Sequence, residues 1–367
     1  MLLFKGPRDQ LLSPLQSVCG IVEKRHTLPI LSNVLLEKNG EKLTLLATDI
    51  EIQITTAAPA VGPEKAALTV GARKLQDILR SLPESAEISL SLDERRLQLK
   101  AGKSRFNLQT LPAEDFPRMA AADGQPTRLT LTQKQMKRLL GLVQYAMAQQ
   151  DIRYYLNGLL LVTKGNDLIV VATDGHRLAY ASETLGEAMN AIDVILPRKT
   201  ILELSRQLAD NDEPLEIILT PTQARFNFGD IELVSKLIDG KFPDYERVIP
   251  QHHGKVIHLN RDQLLHSLLR AAILTNEKFR GVRLLLNPGS LKIISNNAEQ
   301  EEAQEEIEIP YSGDALDIGF NVTYLLDVLN NVATEAVELR LADANSSALF
   351  HIPDNDRFKY VVMPMRI

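Results

Sequence analysis

Apolar positions along the chain recur with two periods that alternate in a fixed order. In RDQLLSPLQSVCGIV (8–22), Leu11, Leu12, Leu15, Val18, Cys19 and Val22 fall at helical spacing. Pro14 lies inside this run and is expected to kink the helix or mark its entry. TQKQMKRLLGLVQYAMA (132–148) and RDQLLHSLLRAAILT (261–275) repeat the period, the latter reusing the pentapeptide of 8–12. Thr132 is placed to cap the middle helix. A second helix family covers 72–82, 197–209 and 321–333, each member preceded by a β-rich stretch. The remaining text is short and strand-like. Hairpins are expected to turn at Asn39-Gly40, Gly165-Asn166 and Pro288-Gly289.

The strand–turn–strand LIVVATDGHRL at 168–178 has a twin in LTLLATDIEIQI at 43–54. A weaker copy, LKIISNNAEQEEAQ, lies at 291–304. The steps from Asp49 to Asp174 and from Asp174 to Asn296 are each close to one third of the 367 residues. Arg73-Lys74 and Arg198-Lys199 open two helices at the same period, and Phe116-Pro117 and Phe242-Pro243 close two repeats. A period of this length is that of a whole small domain. The expected fold is α+β: three tandem domains at 1–125, 126–250 and 251–367, each of two β-α-β-β-β halves. The sheets are expected to be largely antiparallel, with two helices against one face. Boundaries fall in the polar stretches near 123–129 and 250–256.

Composition, with 44% apolar and 24% charged residues, fits a soluble globular chain. No apolar run approaches the roughly 20 residues of a membrane span, and MLLFKGPRDQ has no signal-peptide character. The single cysteine, Cys19, cannot form an internal disulfide. It reads as a packed core thiol, which points to a reducing, cytoplasmic compartment. A net charge of −6 argues against a surface that is basic all over and leaves room for a local basic face. Asp174 and His176 invite reading as a catalytic dyad. No nucleophile motif, glycine-rich phosphate loop or metal-ligand cluster accompanies them, and the twin turn at Asp49 has no histidine. Asp174 is therefore read as a turn former, with no catalysis, metal or cofactor.

Several stretches, in order and at matching spacing, carry a resemblance: Thr27-Leu-Pro-Ile-Leu31, Gln150-Asp-Ile-Arg-Tyr-Tyr-Leu-Asn-Gly158, Ala172-Thr-Asp-Gly-His-Arg-Leu178, Asp239-Gly-Lys-Phe-Pro-Asp-Tyr245, Asn276-Glu-Lys-Phe-Arg-Gly281 and Tyr360-Val-Val-Met-Pro-Met-Arg366. Over essentially its whole length the chain resembles the β subunits of bacterial DNA polymerase III, the sliding clamps. The resemblance implies three clamp domains per chain. Two chains close head to tail around duplex DNA, with twelve helices lining the hole. It also implies service to the polymerase III α subunit, a clamp loader, and other polymerases and repair proteins that bind through short peptides. A ring of this kind attracts phosphates without reading sequence. The helix cations Arg73, Lys74, Arg80, Lys134, Lys137, Arg138, Arg198, Lys199 and Arg206 suit that role, whereas NVTYLLDVLNN at 321–331 has none.

By resemblance, Arg25, Gln150, Tyr154 and Tyr155 are DNA contacts. Adjacent strand residues face opposite ways, so one tyrosine of the pair is expected in the core; which one is open. A peptide cleft is implied at Leu156, Thr173, Gly175, His176, Arg177 and Leu178, at Pro243, Arg247 and Val248, at Asn321, Tyr324 and Ser347, and at Val361, Val362, Met363, Pro364 and Met365. Val, Leu, Met and Pro would form the apolar trough, with His176, Arg177 and Arg247 as polar anchors on its rim. The position of Val-Val-Met-Pro at the chain end favours partial exposure. For the dimer, the acidic strand-like run Glu299, Glu301, Glu302, Glu305, Glu306 and Glu308 would meet basic strands with Arg96, Lys100, Lys103 and Arg105, near Phe106 and Leu108. The family adds Lys74, Ile78 and Leu82 on one side and Ile273 and Leu274 on the other. Gln304 departs from the acidic pattern. The competing reading is a multi-domain interaction scaffold that does not encircle DNA.

Overall fold

In the computed structural model, which describes residues 1–23 and 28–367, strand, helix and three strands follow one another six times. The first half-repeat is β1 (Leu2–Pro7), α1 (Arg8–Cys19), β2 (Asn33–Asn39), β3 (Lys42–Thr48) and β4 (Ile52–Pro59); the second is β5 (Lys65–Gly71), α2 (Ala72–Ser81), β6 (Glu87–Asp93), β7 (Arg96–Ala101) and β8 (Ser104–Leu111). The third is β9 (Thr127–Thr132), α3 (Gln133–Val143), β10 (Gly158–Lys164), β11 (Asp167–Thr173) and β12 (Arg177–Thr184); the fourth is β13 (Ile192–Pro197), α4 (Arg198–Gln207), β14 (Pro214–Leu219), β15 (Gln223–Phe228) and β16 (Ile231–Lys236). A helical turn, α5 (Tyr245–Val248), precedes the last two. These are β17 (Lys255–Asn260), α6 (Arg261–Ala272), β18 (Gly281–Asn287), β19 (Ser290–Asn296) and β20 (Glu302–Glu308), then β21 (Leu316–Asn321), α7 (Val322–Asn331), β22 (Ala336–Leu341), β23 (Ala348–Ile352) and β24 (Asn355–Val362).

Local chemistry accounts for the element ends. Thr132 Oγ1 accepts from Gln135 N at 3.1 Å while Gln135 Oε1 accepts from Thr132 N at 2.8 Å, a reciprocal cap that starts α3. Asn260 Oδ1 accepts from Gln263 N at 2.9 Å at the start of α6, and Asn321 Oδ1 from Thr323 N at 2.9 Å at the start of α7. α1 follows Pro7, which offers no side-chain cap, and it runs through Pro14 as one element. Asn260→Ala is expected to lower unfolding free energy by about 1 kcal/mol, and Asn260→Gly by only a few tenths. Urea unfolding of the two variants checks this; equal losses would mean the side chain does not act as a cap.

The chain folds as two compact units, Met1–Met136 with Leu202–Leu237, and Lys137–Ile201 with Ile238–Ile367. Every strand pair among the described residues is antiparallel. The first unit holds a twelve-stranded sheet in the order β1-β6-β7-β8-β5-β2-β3-β4-β16-β15-β14-β9. α1 packs on α2 and across β3 and β4. The second unit holds an eight-stranded sheet, β13-β10-β11-β12-β24-β23-β22-β17, and a four-stranded sheet, β20-β19-β18-β21. There α6 packs on α7, β19 and β20. The units divide the chain inside the middle repeat because strands of different repeats hydrogen-bond: Ile52 lies opposite Ser235 where β4 meets β16, and Arg177 opposite Val362 where β12 meets β24. Alternating burial along β15 and β18 shows one face of each strand in a core. Cys19 is buried in α1, and burial pushes its thiol up to about 12, which leaves it an inert packing group. No described helix is long and apolar enough to cross a membrane.

Candidate functional site

The turn between β11 and β12 is built by two short polar side chains. Thr173 Oγ1 donates to Arg177 O at 2.5 Å and accepts from Gly175 N at 3.1 Å. Asp174 Oδ1 accepts from His176 N at 2.9 Å and Arg177 N at 3.1 Å. The twin turn between β3 and β4 repeats the set: Thr48 Oγ1 to Ile52 O at 2.9 Å, and Asp49 Oδ1 from Glu51 N at 2.9 Å and Ile52 N at 2.8 Å. The aspartate is thus committed to the main chain in both copies, as a turn former must be. Gly175 sits at φ +89°, a backbone conformation that calls for glycine, and the Arg153 guanidinium lies over it.

Around this turn the second unit gathers many of the residues assigned to the cleft. Leu178 lies opposite Val361, and both pack in one core with Leu156, Phe242, Ile249 and Leu349. The chain end is pinned at two points. Met363 N donates to His176 O at 2.9 Å and Met365 N to Gly319 O at 2.9 Å, so the tail ties β12 to β21. Exposure sorts the set into floor and rim. Leu156, Thr173, Leu178, Val361 and Val362 are buried, whereas Gly175, His176, Pro243, Arg247, Val248 and Met363 are exposed. Asn321, Tyr324, Ser347, Pro364 and Met365 are half-buried. The expected partial exposure of Val-Val-Met-Pro therefore holds only from Met363 onward. The two valines are central sheet residues paired on both sides, to β12 and to β23.

Arg177 corrects the sequence reading more sharply. It is not a rim anchor: its side chain is 10% exposed and fully engaged. It meets Asp174 Oδ2 at 3.2 Å, Asp327, and Tyr145 O at 2.6 Å, and its guanidinium lies 4.5 Å from the ring centroid of Tyr324. Tyr360 Oη donates to Tyr324 O at 2.9 Å, which closes the knot between β12, α7 and β24. Arg247, held to Asp244 at 2.9 Å, is an exposed cation. Sequence reasoning missed Asp327, which belongs to no familiar motif, and gave no role to Arg153 although it lies in the 150–158 stretch. It also left Phe279 unassigned, although the ring is 57% exposed. Phe279 lines a cavity of about 250 Å³ with Gly281, Met365 and Ile367.

Of the DNA candidates, Arg25 lies outside the described residues. Gln150 is exposed at φ +57°. Tyr154 and Tyr155 are not on a strand, as expected, but in a single 3-10 turn, Tyr154–Leu156. Tyr154 is exposed, and Tyr155 packs half-buried against the core. Arg153 fastens this loop. It bonds Asp151 through Nε at 3.0 Å and Nη2 at 2.8 Å, and Asp174 O at 3.2 Å, and that hydrogen bonding holds Asp151 down at about 2. On the helices, Arg80 is exposed and Lys137 and Lys199 are half-buried. Arg73 and Arg198 spend donors on main-chain carbonyls, of Val22 at 2.5 Å and Met147 at 3.2 Å.

The interface candidates fall in both units. In the first, Arg96 and Arg105 are exposed on strands and Lys74 on α2, with Ile78, Leu82, Phe106 and Leu108 half-buried. Lys103 lies in the hairpin turn, not on a strand. In the second, Ile273 is 76% exposed at the end of α6 and Leu274 half-buried. Glu302 and Glu305 are on β20, whereas Glu299 and Glu301 sit in the turn before it. Glu305 is bound within its own chain to Arg270 at 2.5 Å, and that hydrogen bond lowers its pKa.

Comparison with known proteins agrees over the whole length. The family profiles of the DNA polymerase III beta subunit match at 2–120 (N-terminal domain), 130–244 (central domain) and 246–366 (C-terminal domain). The beta sliding clamp of Pseudomonas putida is 51% identical over 366 residues, covering 99% of this chain and 100% of the relative. That of Escherichia coli K12 is 47% identical over 365 residues, with the same coverage. Among solved structures, the DNA polymerase III subunit beta from Pseudomonas aeruginosa superposes with a TM-score of 0.95 at 49% identity, covering 100% of both chains. A P. aeruginosa sliding clamp bound to griselimycin superposes with a TM-score of 0.96 at 49% identity and the same coverage. With three domain profiles in order, relatives near half identity end to end, and a turn that spends its aspartate on the main chain, the chain belongs to the DNA polymerase III beta subunit family, the bacterial sliding clamps, which are non-catalytic processivity factors.

Proposed function

We propose that two copies of this chain close head to tail into a ring around duplex DNA, each with domains bounded near 125 and 250, and that the ring tethers the replicative polymerase. Strand bookkeeping carries the reading. β4, β12 and β20 each end the first half of a repeat; β8, β16 and β24 each end the second. β4 is paired with β16 and β12 with β24. Among the described residues that leaves β20, paired on one side with β19, and β8, paired on one side with β7 and on the other with β5 just at Thr69–Leu111 and Val70–Thr110. Two exposed edges of this length invite strand addition. Arg96 and Arg105 beside one, and the glutamates of the other, are of opposite sign. A heterologous contact of this kind closes after two copies.

Within the ring, Gln150, Tyr154, Arg80, Lys137, Lys199 and the partly committed Arg73 and Arg198 would face phosphates, together with Arg25. Tyr155 serves mainly to hold the loop. The cleft around His176, Arg247, Val248 and Met363 would take short peptides from the polymerase α subunit, the clamp loader and repair proteins, in the cytoplasm. The griselimycin complex of the P. aeruginosa clamp supports ligand binding by this family.

Retention on nicked circular duplex, and its loss when the circle is cut, tests the ring directly. Equal retention on both forms would favour the scaffold reading. Gln150→Ala with Tyr154→Ala is expected to weaken DNA affinity alike on unrelated sequences, because phosphate contacts carry no sequence information. Titrations on two unrelated duplexes check this, and a loss confined to one of them would count against a sliding ring.

A further inference from the structure

The helical turn α5 gives Arg247 and Val248 to the cleft and Tyr245 and Glu246 to a second concavity, a cavity of about 340 Å³ that the proposed function does not use. Its floor is a row across neighbouring strands, His351 opposite Lys359 and Lys359 opposite Tyr180, and Glu338, opposite His351, continues the row beyond the lining. Residues directly opposite in antiparallel strands project from one face, so these side chains stand side by side. Arg340, opposite Leu349, begins the next row, and Tyr245, Gln251 and His253 close the cavity from above.

The polar groups of this cavity are poorly matched to one another. Glu338 is taken by Arg340 and faces His258 at 3.6 Å; Glu246 is taken by Lys164 at 3.0 Å. Lys359 has no ion pair among the described residues, and its Nζ lies 5.1 Å from the ring centroid of Tyr180. His351 is 4% exposed. His253 Nε2 lies 3.1 Å from Pro250 O, and its Nδ1 is buried and unpartnered. Burial first, then Arg340 and Lys359, hold His351 below its ordinary value against the opposing pull of Asp356 and Glu338. Asp356 is the one lining carboxylate without a cation partner among the described residues. Beside these cations the rings of Tyr180 and Tyr245 lie 6.0 Å apart and tilted at 36°, two aromatic surfaces on one side of the cavity.

We propose that this cavity binds a small phosphate-bearing ligand with a planar ring, of the nucleoside monophosphate class. The phosphate sits among Lys359, His351 and Arg340, and the ring lies against Tyr180 and Tyr245. A phosphate would accept charge-assisted hydrogen bonds from Lys359 and Arg340 and a further hydrogen bond from an N–H of the His351 ring, and the volume is at the lower end of small-molecule pockets. The proposal does not rest on the peptide cleft.

The test follows histidine ring resonances of the full chain during titration with deoxyadenosine monophosphate and, separately, inorganic phosphate. Both probes are expected to move His351 and His253, the nucleotide binding more tightly. Lys359→Met should weaken the nucleotide about tenfold, the loss of one charge-assisted contact, and Lys359→Arg should restore it. Tyr245→Leu should bring nucleotide affinity down to that of phosphate, and it reports independently should Lys359→Met not fold. Unmoved rings at about 10 mM nucleotide, roughly the weak limit for a useful site, would overturn the proposal. So would equal affinity for the two probes in the unmodified protein, or unchanged affinity in a folded Lys359→Met.

Discussion

Ile273→Glu combined with Leu274→Glu is expected to convert a two-chain particle into single chains. Ile273 leaves 76% of its surface in solvent at the end of a helix that buries Leu264, Leu265 and Leu268 and exposes Leu269 at 44%, an apolar exposure that a lone chain does not explain. In the proposed ring that side chain and Leu274 are covered beside β20. Each is then worth roughly 1.5–3 kcal/mol of apolar burial. Carboxylates in their place forfeit that gain and add the cost of desolvating unpaired charge, several kcal/mol more. Together these correspond to at least about a thousandfold weaker association. The ion pairs contribute less. Glu305 is already occupied by Arg270 in its own chain, and exposed pairs add only about 0–1 kcal/mol each. Sedimentation at micromolar concentration separates the outcomes: two-chain particles in the double variant would place the interface elsewhere, while Glu305→Gln is expected to sediment close to the parent.

How far this architecture was legible in sequence depends on the range of the interactions involved. The duplicated Thr-Asp turns could be read because a threonine and an aspartate act on amides two to four residues away, so their pattern is local. The cap at Thr132 and the hairpins near Gly40, Gly165 and Gly289 are local in the same way. The joining of β4 to β16 and β12 to β24 was not legible, since an edge strand carries the same alternation as a paired one. Arg177 was misplaced for a related reason. An arginine after a turn reads as exposed until its partners are known, and Asp327 is 150 residues away. Strand geometry is the natural reading of Tyr154 and Tyr155, but the loop closes on a 3-10 turn, with the Asn157 side chain accepting from Asp151 N and donating to Asp151 O. Lys103, Glu299 and Glu301 fell one to three residues beyond their strands, where a charge run gives no boundary signal.

Removing residues 363–367 is expected to abolish peptide binding while leaving the two-chain particle and its DNA retention intact. The tail provides Met363, an exposed adaptable side chain on the rim, and its amides bridge His176 O and Gly319 O. Without it the rim loses apolar surface and the link between the two sheets of the second unit. The floor survives, because Val361 and Val362 stay hydrogen-bonded in β24 and buried. A bound peptide that buries two or three apolar side chains gains roughly 1.5–3 kcal/mol from each and loses several kcal/mol on ordering. The small surplus means micromolar-scale affinity, suited to partners that exchange on one ring. Losing one such contact and part of the preorganised rim removes most of that surplus, so the truncated chain is expected to bind at least about a hundredfold more weakly. Arg177→Lys offers a contrasting outcome. The charge remains but the planar fork that engages Asp174, Asp327 and Tyr145 O is lost. It is expected to lower thermal stability more than the truncation, which gives up two main-chain hydrogen bonds at the chain end but leaves the Arg177 contacts in place. A peptide titration of the truncated protein with unchanged affinity would move the docking site away from this tail, and a truncated protein that no longer forms the two-chain particle would assign the tail to assembly instead.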